Sequence, residues 1–371
     1  MTFQQYRRYF MRVAAVVVAI LVAASAVAGQ LRSTLEPVAG TVTAGDQVWF
    51  RFTLTNTGQE DVSFLVYETP LKGFERDLLR VTREGEPIPY IGLLALRLGP
   101  AAEDWVRLAA GESLSAVFDL ATVYDLRRGG NYTVRFEAFV HVFRGPETRL
   151  PVAALGSDGE LAEGYRRGIE EAVTSRELEG ELVVAPAAAV TIEGDVTTRE
   201  PVDEEELVAG AMAFYGCSDT TTLTTAQSTA RSRAARAYNA IPTYNTFYRT
   251  WFGTTSSYVS TVRGRFANSY NRLGATVDYY CGSYAPYCQP NYIAYTYKTT
   301  SNRIYICGAF WSQSSSMKAH TIAHESFHWN TVAGADDVTY GYNNCLNLAS
   351  TRPYDALRNA DNYAYATTYA P

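Results

Sequence analysis

Between Lys318 and Thr331 the chain reads His324-Glu325-Ser326-Phe327-His328. On a helix, residues four apart share one face, so both imidazoles can approach a single ion while Glu325 borders its open side. Zinc favours imidazole nitrogen. In catalytic sites it keeps three protein ligands and a water whose lowered pKa yields a nucleophile near neutral pH. Glu325 is the expected acceptor of that water's proton. The bland alternative is a chance pair of helix histidines, but the only other histidines in this chain are His141 and His320. His320 extends the series by one more turn. It lies about 12 Å from His328 along a helix axis, too far for both to hold one ion. His320 is therefore expected early in the helix, or behind a ligand.

The third ligand must come from elsewhere. After Glu325 there is no further glutamate and after His328 no further histidine, which leaves Asp336, Asp337, Asp355, Asp361 and Cys345 downstream. The long histidine-rich motif of metzincins and the downstream glutamate of thermolysin-like enzymes are thereby excluded. An aspartate is the natural answer, and Gly334 is expected to end the helix and turn the chain back toward the metal. Spacing alone leaves Asp336 and Asp337 both open.

The stretch Gly334-Ala335-Asp336-Asp337-Val338-Thr339-Tyr340-Gly341 resembles the Gly-Thr-x-Asp-x-x-Tyr-Gly signature of the aspzincins, the deuterolysin and peptidyl-lysine metalloendopeptidase family. The likeness extends through Tyr215-Gly216-Cys217, Thr250-Trp251-Phe252-Gly253 and Cys307-Gly308-Ala309-Phe310-Trp311. It implies Asp337 as the third zinc ligand beside His324 and His328, with Tyr340 stabilising the oxyanion. It also implies disulfides Cys217–Cys281 and Cys288–Cys307, with Cys345 a buried thiol. In the peptidyl-lysine branch a segment Asn-Ala-Asp-Asn-x-Glu receives the lysine that follows the scissile bond. This chain has Asn359-Ala360-Asp361-Asn362-Tyr363-Ala364, so the resemblance keeps Asp361 as a substrate-binding acid and replaces the glutamate by Ala364. A preference for Lys or Arg after the cut is the resulting expectation.

The elements that must position these residues divide the chain in two. Residues 1–28 read as a secretory signal, with Arg7, Arg8 and Arg12 before an apolar run and Ala26-Val27-Ala28 as a cleavage site. The run is too short for a stable membrane anchor, and a secreted protein is expected. Residues 29–210 carry 17 basic and 31 acidic side chains, whereas 211–371 carry 12 and 7 and all five cysteines. Cysteines confined to one exported half indicate disulfides there. Nothing in this pattern points to nucleic acid.

From Thr41 to Phe143 short strands alternate with turns, as in Val48, Phe50, Phe52 and Leu54 before Asn56-Thr57-Gly58. Similar stretches at Val62–Val66, Leu114–Leu120 and Tyr132–Val140 predict an all-β, Ig-like sandwich. Residues 156–181 read as helical, Leu182–Ile192 as a last strand, and Asp203–Glu206 as an exposed linker. Beyond Cys217 the Ala- and Arg-rich stretch Thr225–Tyr238 predicts a helix.

The expected organisation is a signal peptide at 1–28, a β-sandwich propeptide and linker at 29–205, and an α+β aspzincin catalytic domain at 206–371. The expected function is a secreted zinc metalloendopeptidase acting on proteins or peptides, with one catalytic ion and its own propeptide as intramolecular inhibitor. Lacking cysteine, that propeptide must act by steric cover, by His141 or a carboxylate, or by a side chain such as Lys72 in the specificity pocket. The competing reading is a secreted binding or adhesion protein with a structural zinc domain. The intact Glu325 argues against it, because structural sites use four protein ligands and need no base.

Overall fold

The computed structural model describes residues 30–145, 178–196 and 213–371. The expected signal peptide, the linker acids Asp203–Glu206 and most of 156–181 lie outside the described residues. Among the described residues the first half supplies twelve strands: β1 (Leu31–Pro37), β2 (Thr41–Thr43), β3 (Trp49–Asn56), β4 (Val62–Leu65), β5 (Leu79–Arg83), β6 (Glu86–Pro87), β7 (Leu93–Arg97), β8 (Trp105–Leu108), β9 (Ser113–Asp119), β10 (Gly130–Phe143), β11 (Leu178–Val184) and β12 (Ala188–Glu193). The second half supplies β13 (Phe214–Tyr215), α1 (Thr220–Ala240), α2 (Thr246–Phe252), α3 (Val259–Arg272), β14 (Asp278–Cys281), β15 (Tyr292–Tyr297) and β16 (Arg303–Ile306). It continues with α4 (Gly308–Trp311), α5 (Ser315–His328), α6 (Tyr342–Thr351), α7 (Pro353–Ala356) and α8 (Ala360–Tyr369).

Alternation dictates the first half. In β3, Phe50, Phe52 and Leu54 point inward and their neighbours outward, and antiparallel pairing with β1 and β9 makes a three-stranded sheet. The larger sheet is organised by β10, whose 14 residues pair with β5 and β12 along its start and with β4 and β11 along its end. Both sheets bury side chains in one core, where the Phe52 and Phe136 rings meet edge-on with centroids 4.8 Å apart. Residues 178–181 are strand rather than helix, because they pair with β10. The expected single strand 182–192 is the end of β11 and the whole of β12, split at Ala185-Pro186-Ala187, where proline has no amide to donate.

The second half packs helices on a five-stranded mixed sheet of order β13-β14-β16-β15-β7. Strands β13, β14 and β16 run parallel, while β15 is antiparallel to β16. The fifth strand, β7, comes from the first half of the chain and pairs antiparallel with β15. Helix α1 begins at Asp219, whose carboxylate accepts from the Thr222 amide, and so starts five residues before the expected Thr225. Phe252, Phe266, Phe327 and Tyr363 form a contiguous aromatic core beside α5. Disulfides join Cys217 to Cys281 and Cys288 to Cys307, and Cys345 is a buried free thiol. None of the described helices is long and apolar enough to cross a membrane.

The two halves meet through more than β7. The Leu98 amide donates to the Asn291 carbonyl at 2.8 Å, and Arg76 Nη1 reaches the Asp337 carbonyl at 3.4 Å. The Arg352 guanidinium lies 4.2 Å from the Phe139 ring centre. Asp77 approaches the second half at Asp336 and Lys298. Burial, and then the Asp336 charge, push the Asp77 pKa up to about 6, with Lys298 opposing. A carboxyl whose folded pKa is raised lends stability that is complete below its unfolded pKa and is lost as pH rises through about 6. Asp77→Asn is therefore expected to raise stability at pH 7.5, by about 1 to 2 kcal/mol after allowing for Asp77's partial solvent contact, and to leave it unchanged near pH 3.5. Thermal melts of both proteins at the two pH values check the sign.

Candidate metal centre

Helix α5 starts where Ser314 Oγ accepts from the Met317 amide and ends at His328, six residues before the expected stop at Gly334. The reason is Trp329, which leaves helical geometry and buries its indole with Nε1 donating to Thr296 Oγ1 at 3.1 Å. Gly334, at φ +57°, serves the following turn instead, in a region of backbone space that favours glycine. Along α5, His324, Glu325 and His328 are wholly enclosed.

Three side chains converge there. His324 Nε2 and His328 Nε2 are 3.0 Å apart, and Asp337 Oδ1 and Oδ2 lie 3.1 and 3.4 Å from them respectively. Adjacent ligands of a tetrahedral ion with bonds near 2.0–2.1 Å stand about 3.3 Å apart, so this spacing fits a zinc shell. Both Asp337 oxygens are buried with no hydrogen-bond donor, and both Glu325 oxygens share that condition. Buried carboxylates without donors are expensive unless a cation compensates them. The distal imidazole nitrogens are engaged: His328 Nδ1 with the Ala335 carbonyl at 2.9 Å, and His324 Nδ1 with Asp361 Oδ1 at 2.8 Å. Such contacts fix the tautomer and aim the opposite nitrogen at a metal.

The structure also separates the two aspartates that spacing left open. Asp336 turns away, contacts Lys298 Nζ and Arg358 Nη2, and exchanges backbone hydrogen bonds with Arg358 and Ala360. The next carboxylate, on Asp337, then faces the histidines. Asn359 Oδ1 accepts from the Val338 and Thr339 amides at 2.9 and 3.1 Å, and Asp361 Oδ2 from the Gly341 amide at 2.7 Å, which pins the rest of the turn.

Tyr340 stands on this turn with its ring centre 6.3 Å from that of His324, and its hydroxyl donates to the Ala95 carbonyl of β7 at 2.8 Å. Burial, and then the Asp337 charge, push its pKa well above the ordinary phenol value. Burial likewise pushes the Glu325 carboxyl well above the usual carboxylate range. The Leu96 amide lies close enough to favour the charged form of Glu325, although it makes no hydrogen bond of ordinary geometry with it.

The remaining expected residues fall as follows. His320 lies behind the ligand, its Nε2 3.1 Å from the same Asp361 oxygen that receives His324. Asp361 is buried with both oxygens occupied by His320, His324 and Gly341, and Ala364 beside it is buried too. His141 pairs with Glu68 at 2.9 Å, and Glu68 in turn meets Arg76. Lys72 is half-exposed beside Asp104, so it fills no pocket. Sequence reasoning missed the bracing role of Asn359, although it stands in the quoted Asn359–Ala364 segment. It also missed Arg76 and β7 at the site, for which no local pattern gives a signal.

A helix-borne histidine pair, a neighbouring glutamate and an aspartate returned by a tight turn make this chain a zinc metalloendopeptidase. It belongs to the M35 family. Residues 237–368 match the family described as lysine-specific metallo-endopeptidase, and 11–151 match the deuterolysin metalloprotease (M35) family. An extracellular protease of Aeromonas hydrophila is 30% identical over 346 residues, 88% of this chain and 89% of that protein. A peptidyl-Lys metalloendopeptidase of Grifola frondosa is 27% identical over 86% of this chain and 87% of its own length. A solved zinc peptidase from Grifola frondosa is 30% identical, with a TM-score of 0.38, covering 41% of this chain and 96% of that one.

Replacing Glu325 by Gln keeps the shape and removes the proton acceptor, so it should retain the metal and lose turnover by about 10²-fold or more. Asp337→Ala should instead lose metal, and Asp336→Ala should weaken it only indirectly. Metal content by mass spectrometry, set beside peptide turnover, separates the three. Tight metal binding by Asp337→Ala would sink this ligand set.

Proposed function

We propose that the chain is a secreted endopeptidase precursor that hydrolyses proteins with one zinc ion held by His324, His328 and Asp337. The observation that carries this is the pair of buried, donorless carboxylates, Asp337 and Glu325, facing two aimed imidazoles. Zinc there would lower the pKa of a water and polarise the scissile carbonyl. Glu325 accepts the water's proton at its carboxylate and passes it to the departing amine. Tyr340, kept protonated by its raised pKa, donates its hydroxyl to the carbonyl oxygen as negative charge develops. Asp361 holds the His324 ring, and Lys298 with Arg358 holds Asp336 so that Asp337 stays turned inward. A purely structural metal would leave the enclosed Glu325 without a role.

Residues 29–205 are read as an Ig-like sandwich propeptide and 206–371 as the catalytic domain. Support comes from the described part of the first half, where the elements are strands and single 3-10 turns that bury a core of their own. Residues 1–28 are read as the export signal. Latency is supported by steric cover, since Arg76 reaches the Asp337 carbonyl and β7 takes the Tyr340 hydroxyl and the β15 edge.

A preference for lysine after the cut would reach this chain from relatives so named only through Asp361 and position 364. Asp361 is committed to the histidines and Ala364 is uncharged, so we read the basic preference as weak. Asp361→Asn is expected to lower turnover of every peptide alike, by roughly tenfold as outer contacts to metal ligands do, without changing the ratio of Lys to Leu substrates. A cleavage profile that loses Lys selectively in this variant would restore the pocket role. The uncut precursor is expected to be at least about 10²-fold less active than chain cut between 196 and 213, because an intramolecular occupant is present at millimolar effective concentration. Equal activity before and after cutting refutes latency and makes the β-rich half an accessory binding domain.

A further inference from the structure

The first half supplies the edge strand of the catalytic sheet. Strand β7 runs antiparallel to β15, with Leu93 opposite Tyr297 and Leu94 opposite Thr296. One of its peptide bonds lies between the two reactive side chains. The Ala95 carbonyl accepts from the Tyr340 hydroxyl at 2.8 Å, and the amide on the other side of that bond, Leu96 N–H, points the opposite way across a trans peptide, on a strand that packs against α5, the helix of Glu325. The Leu96 side chain is 4% exposed and packs in the core of the second half with Ile293, Ile322 and Phe327, whereas Leu94 packs in the core of the first half. The Ala95 amide is tied to the Glu75 carbonyl at 3.1 Å, so the strand is also held from its own side.

We propose that β7 occupies the substrate channel in the chain direction of a substrate, with the Ala95–Leu96 peptide where the scissile bond lies. This rests on the peptidase reading of the centre. In hydrolysis the carbonyl oxygen must meet the oxyanion donor, and the leaving nitrogen must meet the group that returns the proton. The Ala95 carbonyl meets the first demand at Tyr340, and the proposed direction places the Leu96 nitrogen across the same bond for the second. A strand running the other way would put the nitrogen on the opposite side of the bond. Backbone pairing with β15 supplies affinity that depends little on sequence, and Leu96 supplies an apolar anchor. The proposal assigns position and polarity, and no bond is broken in it. Its consequence is that the inhibitor and substrates compete for the same β15 edge. Cutting the junction turns a tethered occupant into one that can leave, and activity follows departure of β7.

The test uses the full-length zinc-loaded chain and its Leu96→Asp variant, read by amide hydrogen exchange. In the variant, amides of 93–97 and 292–297 are expected to exchange about tenfold faster or more, since a carboxylate cannot take the place of a buried leucine, while those of β10 keep their protection. The uncut variant should then hydrolyse a quenched peptide that the parent leaves intact. Unchanged protection in both strands overturns the proposal. Should β10 also lose protection, the fold has failed and a second measurement decides: peptide 91–98, Ile-Gly-Leu-Leu-Ala-Leu-Arg-Leu, against its reversed sequence, added to chain cut in 197–212 with both pieces kept. The forward peptide should inhibit, or be cut only between Ala95 and Leu96, and the reversed one should do neither. Equal effects of the two, or cutting at another bond, also overturn it. If the exchange result holds while no form of the chain hydrolyses anything, the peptidase reading fails and the strand's placement stands.

Discussion

Everything near the centre follows from one electrostatic constraint: carboxylates enclosed beside two imidazoles without a hydrogen-bond donor. Leaving one such ion unpaired in a protein interior costs several kcal/mol, whereas a well-made zinc site returns on the order of 10 kcal/mol or more. The second quantity exceeds the first, so the arrangement is stable as a metal site and poor as a bare core. It also explains why adjacent aspartates are treated so differently. Asp336 is matched by Lys298 and Arg358, which hold its pKa below the ordinary carboxylate value despite burial, while Asp337 has no donor at all. Protein cations compensate one acid and leave the other unmatched beside the imidazoles.

Rigid placement of that second acid depends on contacts remote in sequence. Asn359 holds the amides of 338 and 339, Asp361 holds the amide of 341, and His320 shares Asp361 with His324. One short segment at the start of α8 thus braces both the turn that carries Asp337 and His324 of α5. In the proposed centre that carboxylate orients His324, beside the substrate contact that family resemblance assigns to Asp361.

The β-rich half is joined to the catalytic half through the same centre. An exposed sheet edge is adhesive because its amides and carbonyls lack partners, and β7 satisfies the edge of β15. Opposite net charges on the halves favour their approach, but the contacts that matter are local. They are a strand pairing, Arg76 at the Asp337 carbonyl, and the Ala95 carbonyl at Tyr340. Burial and the Asp336 charge both raise the Asp77 pKa at this junction.

Much of this was legible in the sequence because it is local and periodic. The His324–His328 spacing, the alternation through β3 and β10 and the change of texture near Cys217 each depend on residues a few positions apart. Elimination on the downstream acids narrowed the third ligand, and resemblance supplied the cysteine pairs that the structure contains. Tertiary structure alone decided which way Asp336 and Asp337 turn, where α5 stops, that residues 178–181 are strand, and that β7 leaves its own half for the other. Each of those outcomes is set by partners many residues distant: Lys298 and Arg358 for Asp336, Thr296 for Trp329, β10 for β11, and β15 for β7. Local propensity cannot encode such choices, because a side chain's direction and a strand's partner are fixed by whichever long-range contact buries the most apolar surface and leaves the fewest polar groups unpaired.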